Sequence, residues 1–209
     1  MKFQVDVELK ERLVGTLKKK YGSERTGVHV TDLIYCLREV YYRKKMPQPI
    51  TETDLMFFVD GAERHSIIQG LTGFEAEKKV KYGNVVGSID MIAEGPSLCP
   101  VEIKSTRANK DIPPHYFKQL SYYCAMLGSE VGFIVIQRIN NREKPWEVVR
   151  VEWTGDELAE TRRELFERST LLLNAFSDDD PSLLPKRWPR MEWKCNYCLY
   201  KKDCNKVEN

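Results

Sequence analysis

Two short stretches decide the fold of this chain: Gly87-Ser88-Ile89-Asp90 and Glu102-Ile103-Lys104. Each lies in an apolar run in which β-branched side chains recur, 85–93 for the first stretch and 99–103 for the second. Between the runs, Gly95-Pro96-Ser97 is typical of a turn. The sequence therefore predicts two neighbouring strands joined as a hairpin.

The charged residues of this hairpin occupy positions at which they can meet. Alternate side chains of a strand share a face, so Glu102 and Lys104 point to one side while Ile103 points into the core. Asp90 on the partner strand can then lie opposite Glu102. Two adjacent carboxylates repel unless a cation joins them, and hard oxygen ligands favour Mg²⁺ or Mn²⁺. Lys104 beside such an ion can orient a water or stabilise charge on a phosphate. The alternative is a surface hairpin with an ordinary cross-strand ion pair.

A helix is predicted upstream of the hairpin, over residues 51–71. Thr51 or Thr53 can cap it, and residues at helical spacing form an apolar face: Leu55, Phe58, Ala62, His65 and Ile68. A single histidine on such a face is usually a hydrogen-bonded core residue. The position of His65 one helix ahead of Asp90 favours a metal ligand instead.

A second helix is predicted downstream, over residues 113–127, with prolines at its start and Gly128 after its end. Gln119 and Tyr123 are four residues apart, so they lie on one face of this helix. By themselves they would indicate only an amphipathic surface.

Taken in order along the chain, these residues resemble the motifs of the RecB-like exonucleases in the PD-(D/E)xK nuclease superfamily. The resemblance implies a restriction-endonuclease-like α/β fold, with a mixed central sheet flanked by helices. The implied metal ligands are His65, Asp90, Glu102 and the backbone carbonyl of Ile103. The implied catalytic residues are Asp90, Glu102 and Lys104, with Gln119 and Tyr123 positioning the DNA strand or the lysine.

The cysteines form a second pattern. Six are present: Cys36, Cys99, Cys124, Cys195, Cys198 and Cys204. Cys195-x-x-Cys198 followed by Cys204 has the spacing of metal ligands, and three thiolates need a fourth. Cys99 in a strand and Cys124 at an apolar helix position fit small core residues. Cys36 is therefore the expected fourth ligand, which would join the C-terminal tail to N-terminal helices.

The arrangement of these four cysteines favours an iron–sulfur cluster over zinc. A zinc site with four cysteines usually uses two close pairs, whereas one distant cysteine plus three clustered ones suits an iron–sulfur cluster. The same arrangement resembles the iron–sulfur branch of the RecB-like nucleases. We expect a 4Fe-4S cluster, with a 2Fe-2S centre and zinc as the alternatives.

Length and composition favour one compact nuclease domain over residues 1–209. Its core is expected at about 51–176, with cluster-binding elements at about 30–45 and 188–206. No apolar signal segment or membrane-length apolar run is present. The chain is therefore expected to be cytoplasmic, with no membrane partner.

The charge pattern is compatible with DNA as a partner. The net charge of +2 is small, but basic residues cluster at 18–20, 43–45, 78–81, 186–190 and 201–202. Such runs are usually solvated faces. Aromatic neighbours make a groove for a DNA strand plausible, since bases stack on rings while Lys and Arg track phosphates. These neighbours are Tyr41, Tyr42, Trp188, Trp193, Tyr197 and Tyr200.

The remaining segments complete the scaffold. Two further strands are predicted at 131–138 and 146–153, and a helix that begins at Thr154 is predicted to run to Phe176. Residues 177–189 are acidic and then interrupted by prolines, so they are predicted to form a linker into the cysteine tail.

Within the iron–sulfur branch, the chain resembles the CRISPR-associated exonucleases that act with the spacer-integration machinery. The resemblance runs from Cys36 to Cys204 and implies a prokaryotic or viral exonuclease that trims single-stranded DNA ends, 5′ to 3′. The integrase complex and a homo-oligomer are the further partners that it allows. The alternatives are a RecB-like nuclease of replication, repair or viral origin and a non-catalytic iron–sulfur module that binds DNA.

Overall fold

The computed structural model describes residues 6–22, 25–94, 98–107, 111–186 and 192–207, with the backbone alone for 192 and 193. Within them the helices are α1 (Val7–Tyr21), α2 (Val30–Leu33), α3 (Leu37–Lys45), α4 (Glu52–Thr72), α5 (Pro114–Leu127), α6 (Gly155–Ser177) and α7 (Lys201–Lys206). The strands are β1 (Val28–His29), β2 (Glu75–Tyr82), β3 (Val85–Ala93), β4 (Cys99–Thr106), β5 (Val131–Arg138) and β6 (Trp146–Glu152). Short 3₁₀ helices cover Pro181–Leu183 and Glu192–Asn196. The predicted turn at 95–97 lies outside the described residues.

The strands form one mixed sheet, as predicted. Its order is β1-β3-β4-β5-β6, and β2 also pairs with β3. β4 and β5 are parallel, whereas β5 and β6 and the predicted β3–β4 hairpin are antiparallel. The helix α5 connects the two parallel strands, as a parallel crossover requires.

The ladder between β3 and β4 is short, and this shortness shapes the site. It joins Met91–Ala93 to Cys99–Val101, after which β4 continues alongside β5. Asp90 and Glu102 are the next residues on either strand, so they lie where the two strands separate. β2 occupies one edge of β3 over Val85–Ile92, and β1 pairs only with Val85 and Val86 on the other.

The helix boundaries follow local capping chemistry. Thr51 caps α4 in a capping box with Asp54, and Thr154 caps α6 with Glu157. Pro113 precedes α5, which ends at Gly128 in the left-handed conformation with φ 71°. All three predicted helices are confirmed to within about two residues.

The core lies on both sides of the sheet. The largest cluster packs α2, α3, α5 and α6 against β3, with Leu33, Ile89, Tyr122 and Leu165 fully buried. Cys99 and Cys124 are both buried, as predicted, and Cys124 packs between α5 and β5. A smaller cluster places Ile68 of α4 against Met91, Val101 and Ile103.

Two expectations about this scaffold are wrong. The face predicted for α4 is buried at Leu55, but Phe58 and Ala62 are exposed. Apolar residues surround this helix on several sides, so they do not mark one buried stripe. The predicted linker 177–189 is packed over its described part, because Leu184 is buried and its carbonyl accepts a hydrogen bond from Nη2 of Arg38.

Among the described residues, no helix combines the length and apolar character needed to span a bilayer.

Candidate active site

The carboxylate of Glu102 is the most enclosed part of the site. Glu102 is only 2% exposed, and its Oε1 accepts hydrogen bonds from Nζ of Lys104 at 2.5 Å and from Nε2 of Gln119 at 2.7 Å. Its Oε2 is buried and has no hydrogen-bond partner. Burial raises the pKa of Glu102 to about 7, although the charge of Lys104 opposes the shift. A buried carboxylate oxygen without a donor is costly, and a cation would stabilise it.

Asp90 faces Glu102 across the point where the strands separate. Its Oδ2 accepts a hydrogen bond from the backbone N–H of Ile103 at 2.7 Å. The carboxylate thus satisfies an amide that the β3–β4 ladder no longer reaches. Its Oδ1 lies 3.6 Å from Nδ1 of His65 on α4. Burial lowers the pKa of His65, but the hydrogen bond and negative charge of Asp90 outweigh burial and raise it overall.

Lys104 is a partly buried cation held by two partners. Its Nζ donates to Glu102 and also to Oε1 of Gln119 at 2.9 Å. Burial lowers the pKa of Lys104, but the adjacent charge of Glu102 more than compensates and raises it. The amine also lies 5.2 Å from the ring centroid of Tyr116. Lys104 is therefore protonated and fixed beside the carboxylates.

Tyr123 of α5 packs against Gly87 and Ser88 of β3. The hydroxyl of Tyr123 donates to the carbonyl of Ser88 at 2.8 Å. A Cβ atom at Gly87 would lie 2.7 Å from Cε1 of Tyr123, closer than side chains pack, so glycine is required here. Tyr123 thus contacts β3, whereas Gln119 contacts Lys104.

The residues predicted as metal ligands lie together, but their side chains do not form a closed metal site. Their proximity is reflected in two pKa shifts: Asp90 and Glu102 act against burial to raise the pKa of His65, and Asp90 adds to burial in raising the pKa of Glu102. Across the described ranges, no three His, Cys, Asp or Glu side chains are arranged to hold a metal ion. Glu102 Oε1 and Asp90 Oδ2 are each engaged by protein donors. Glu102 Oε2 and Asp90 Oδ1 are the oxygens that fit a hard cation.

Two residues that the sequence does not indicate, Gln69 and Glu77, hold the backbone of Asp90 in place through hydrogen bonds. Gln69 of α4 donates to the carbonyl of Asp90 at 2.9 Å and to Oε1 of Glu77 at 3.0 Å. Glu77 interrupts the β2–β3 ladder opposite Asp90 without shifting its register, and it has φ 53°. Its Oε2 accepts a hydrogen bond from Ser88. A lysine-rich strand with mostly exposed residues carries no sequence signal for this role.

The four cysteines predicted as cluster ligands lie near one another, but in the described part of the chain their side chains are not arranged to hold a metal ion. Cys36 precedes α3, and the other three lie in the C-terminal tail. Burial raises the pKa of Cys36, and the charge of Glu39 adds to this, with a smaller contribution from Cys204. Burial also raises the pKa of Cys198, and Glu39 adds to this, with smaller contributions from Cys36 and Cys195. The tail is held by Arg38, whose Nη1 donates to the carbonyl of Cys204 at 3.4 Å.

The prediction of an aromatic groove for a DNA strand is wrong for three of its residues. Tyr41, Tyr42 and Tyr200 are buried, with Tyr41 stacked on Phe176 and Tyr42 on Tyr200. They belong to the core and cannot stack on bases, whereas Tyr197 is 81% exposed. Trp188 and the side chain of Trp193 lie outside the described residues. The basic run 43–45 is engaged by acids, since Arg43 and Lys44 pair with Asp32 and Lys45 pairs with Asp179.

Known proteins with similar sequences include CRISPR-associated exonuclease Cas4 from Saccharolobus solfataricus, which is 26% identical over 214 residues. The match covers 90% of this chain and 95% of that relative.

Three solved structures share the fold. The crystal structure of SSO0001 superposes with a TM-score of 0.65 at 20% identity, over 97% of this chain and 98% of that one. The alkaline exonuclease LHK-Exo from Laribacter hongkongensis gives 0.52 at 14% identity, over 77% and 94% of the two chains. A phage-related exonuclease from Haemophilus somnus gives 0.51 at 8% identity, over 77% and 99%. The family model of the PD-(D/E)XK nuclease superfamily matches residues 35–205, in agreement with the motifs, and the chain belongs to that superfamily.

Proposed function

We propose that the protein is a metal-dependent DNA exonuclease that acts on single-stranded ends. The observation that carries this proposal is the buried, unpartnered Oε2 of Glu102 beside Asp90, His65 and the fixed cation of Lys104. A structural ion pair would need only Glu102 and Lys104. A second carboxylate, a histidine and an unsatisfied oxygen at the same point favour a site for a divalent cation.

In this proposal Mg²⁺ or Mn²⁺ is held by Asp90, Glu102, His65 and the carbonyl of Ile103. When bound, such an ion polarises a phosphate and lowers the pKa of a water. Lys104 contributes a positive charge that requires no reorganisation, because Glu102 and Gln119 already fix its amine. Tyr123 fixes the position of α5 relative to β3 through its hydrogen bond to the carbonyl of Ser88.

We further propose that Cys36, Cys195, Cys198 and Cys204 bind a 4Fe-4S cluster, with a 2Fe-2S centre or zinc as alternatives. The support is that thiols from both ends of the chain lie near one another: Cys204 adds to burial in raising the pKa of Cys36, and Cys36 and Cys195 do the same for Cys198. They are partly exposed, whereas Cys99 and Cys124 are buried in the core. Sulfur ligands of this kind suit iron–sulfur chemistry.

The proposed biological role is trimming DNA ends for CRISPR spacer acquisition, in the 5′ to 3′ direction and in contact with the integrase complex. The support is the relative from Saccharolobus solfataricus, which is named as a CRISPR-associated exonuclease and matches 90% of this chain. A cytoplasmic location and a homo-oligomer belong to the same proposal. A nuclease of replication, repair or viral origin would use the same chemistry, so gene neighbourhood separates the two roles.

The test is digestion of end-labelled single- and double-stranded DNA with Mn²⁺ or Mg²⁺, comparing the wild type with Glu102→Ala. We expect the wild type to shorten single strands from the 5′ end and the variant to be inactive. Glu160→Ala is the matched control, because Glu160 is an exposed glutamate of α6 that pairs with Arg163 at the surface. Metal-dependent cleavage that persists in a clean Glu102→Ala preparation would contradict the proposal.

A further inference from the structure

An aromatic ring and a guanidinium lie together at the surface near the candidate active site. Cζ of Arg107 is 5.6 Å from the ring centroid of Phe57, which is a cation–π distance. Phe57 is nevertheless 53% exposed, and its helix neighbours Met56 and Phe58 are also exposed. The ring of Phe57 therefore offers an accessible face beside the guanidinium of Arg107.

The pair is placed by the same two elements that carry the active site. Phe57 precedes His65 by eight residues on α4, which is about 12 Å along a helix. Arg107 follows Lys104 by three residues at the end of β4, which is about 10 Å along a strand. The two elements therefore lead from the proposed metal ligands to the same surface point.

One further cation, Arg64, lies between the site and this pair. Asp60 accepts a hydrogen bond from Nε of Arg64 at 2.9 Å and lies 3.5 Å from Nη2 of Arg107. Nη1 of Arg64 also donates to Gln137, which accepts a hydrogen bond from Ser105. These contacts orient both guanidiniums while leaving them partly exposed. Arg64 directly precedes His65, so one end of the row reaches the site.

We propose that Phe57, Arg107 and Arg64 form a subsite for an unpaired nucleic-acid strand. A base stacks on Phe57, and the two arginines bind the flanking phosphates. At about 3.4 Å per stacked nucleotide, the ring is roughly three nucleotides from the reacting phosphodiester. In a duplex only the terminal bases expose a face, so a ring about three nucleotides from the cleaved bond favours an unpaired strand. The proposal deepens the nuclease function given above and rests on it.

Binding of a fluorescent 15-mer of thymidine, measured by anisotropy in metal-free buffer, tests the base contact. We expect Phe57→Ala to weaken binding by about tenfold, the effect of losing one stacked base. Phe57→Tyr should bind as the wild type does. The matched control is Phe166→Ala, because Phe166 is 61% exposed on α6, which carries none of the proposed site residues. A 15-mer of abasic residues should bind the wild type and Phe57→Ala equally well.

Arg107→Ala should weaken binding of both strands and reduce the dependence of affinity on salt by about one phosphate contact. Equal losses for Phe57→Ala and Phe166→Ala, or a loss for Phe57→Ala that persists on the abasic strand, would overturn the subsite. A salt dependence unchanged in Arg107→Ala would remove its phosphate role.

Hydrolysis of thymidine 5′-(p-nitrophenyl phosphate) with Mn²⁺ separates this proposal from the nuclease function. This small diester cannot reach a ring that is about three nucleotides away. Phe57→Ala should therefore cleave it at the wild-type rate, whereas Glu102→Ala should not cleave it. If the wild type cleaves neither DNA nor diester but the binding pattern holds, the nuclease function fails and the subsite stands. A Phe57→Ala defect on the diester would show that the residue acts on the catalytic centre instead.

Discussion

The side-chain amide of Gln119 donates to Oε1 of Glu102 at 2.7 Å, and this contact fixes which carboxylate oxygen is left for a cation. The same amide accepts from Lys104, so one residue of α5 orients both members of the Glu102-Ile103-Lys104 motif. Oε2 is then directed away from protein donors. Gln119 therefore acts as a positioning residue.

Gln119→Ala should slow DNA cleavage by about 10- to 100-fold, because hydrogen bonds to charged groups contribute about 1.5–3 kcal/mol. The variant should also lower the free energy of unfolding, since Glu102 and Lys104 would be buried with fewer partners. Single-turnover cleavage and chemical denaturation measure the two effects. Gln48→Ala, at an exposed glutamine, serves as the control. An unchanged cleavage rate would refute the positioning role.

Asp90→Ala, Glu102→Ala and Lys104→Ala should each lower cleavage by on the order of 10²–10³-fold or more, because each removes charge from one metal–phosphate site. His65→Ala should be milder, since oxygen ligands and water can still hold the ion. Cleavage rates at saturating Mn²⁺ and DNA binding should be measured together. Near-normal turnover in one variant would disprove the role of that residue.

The metal-free protein should become less stable as pH rises from 4.5 to about 7. Glu102 has an ordinary pKa of 4.5, which burial raises to about 7 in the folded protein. The folded state then binds more protons than the unfolded state in this window, so its free energy of unfolding falls with rising pH. Melting curves of the wild type and Glu102→Gln test this. When melting temperature is plotted against pH, the slopes for the two proteins should differ between pH 4.5 and 7. Parallel plots would contradict the raised pKa of Glu102.

Binding of Mn²⁺ should show the opposite pH dependence, because the ion requires an ionised carboxylate. Affinity should fall below pH 7 and binding should release protons. Calorimetry in two buffers of different ionisation enthalpy counts those protons. A pH-independent affinity with no proton release would place the ion away from Glu102.

Pure protein made with ample iron should be brown, with broad absorption near roughly 400 nm. Serine at Cys36, Cys195, Cys198 or Cys204 should remove the colour. Cys99→Ala and Cys124→Ala should retain it, because both thiols are buried in the apolar core. Colourless protein with stoichiometric zinc would favour the zinc alternative.

The cluster should act mainly by stabilising the fold. Cys36 and Cys195 are 159 positions apart, and closing so long a loop makes binding energy part of the folding energy. Loss of a tail cysteine should therefore lower the melting temperature and solubility, and cleavage should fail as a consequence. Inactive cluster-free protein whose circular dichroism and melting curve match the wild type would instead indicate a direct role.

The sequence predicted the elements that have strong local signals. The capped helices around Thr51, Pro113 and Thr154 and the β3–β4 hairpin all form where periodicity and capping placed them. β2 was missed because Glu75–Tyr82 is mostly exposed and rich in lysine, so it lacks an alternating apolar pattern. Tyr41 and Tyr42 were misassigned because their neighbours are basic, and composition alone does not reveal whether a ring is buried.

Side-chain contacts between separate helices and strands could not be predicted from the sequence. The role of Tyr123 in positioning the DNA strand or the lysine stays a prediction, and no sequence pattern indicates that its hydroxyl contacts the carbonyl of Ser88 across 35 residues of chain. Gln69 and Glu77 support Asp90 only because α4 meets β2 where Glu77 interrupts the β2–β3 ladder. Such relations depend on how strands diverge, which no local pattern encodes.

The hydrogen bond from the amide of Ile103 to Asp90 has a consequence for how a site of this kind can be lost. An acid in this place both prepares an anionic pocket and ends a backbone ladder without leaving a bare amide. Replacing it with asparagine keeps an acceptor for that amide and removes only the charge. Replacing it with an apolar residue removes both, which favours extension of the β3–β4 ladder beyond Met91 and Val101. A descendant that abandoned catalysis through an apolar residue here would therefore close its cleft as it lost its chemistry.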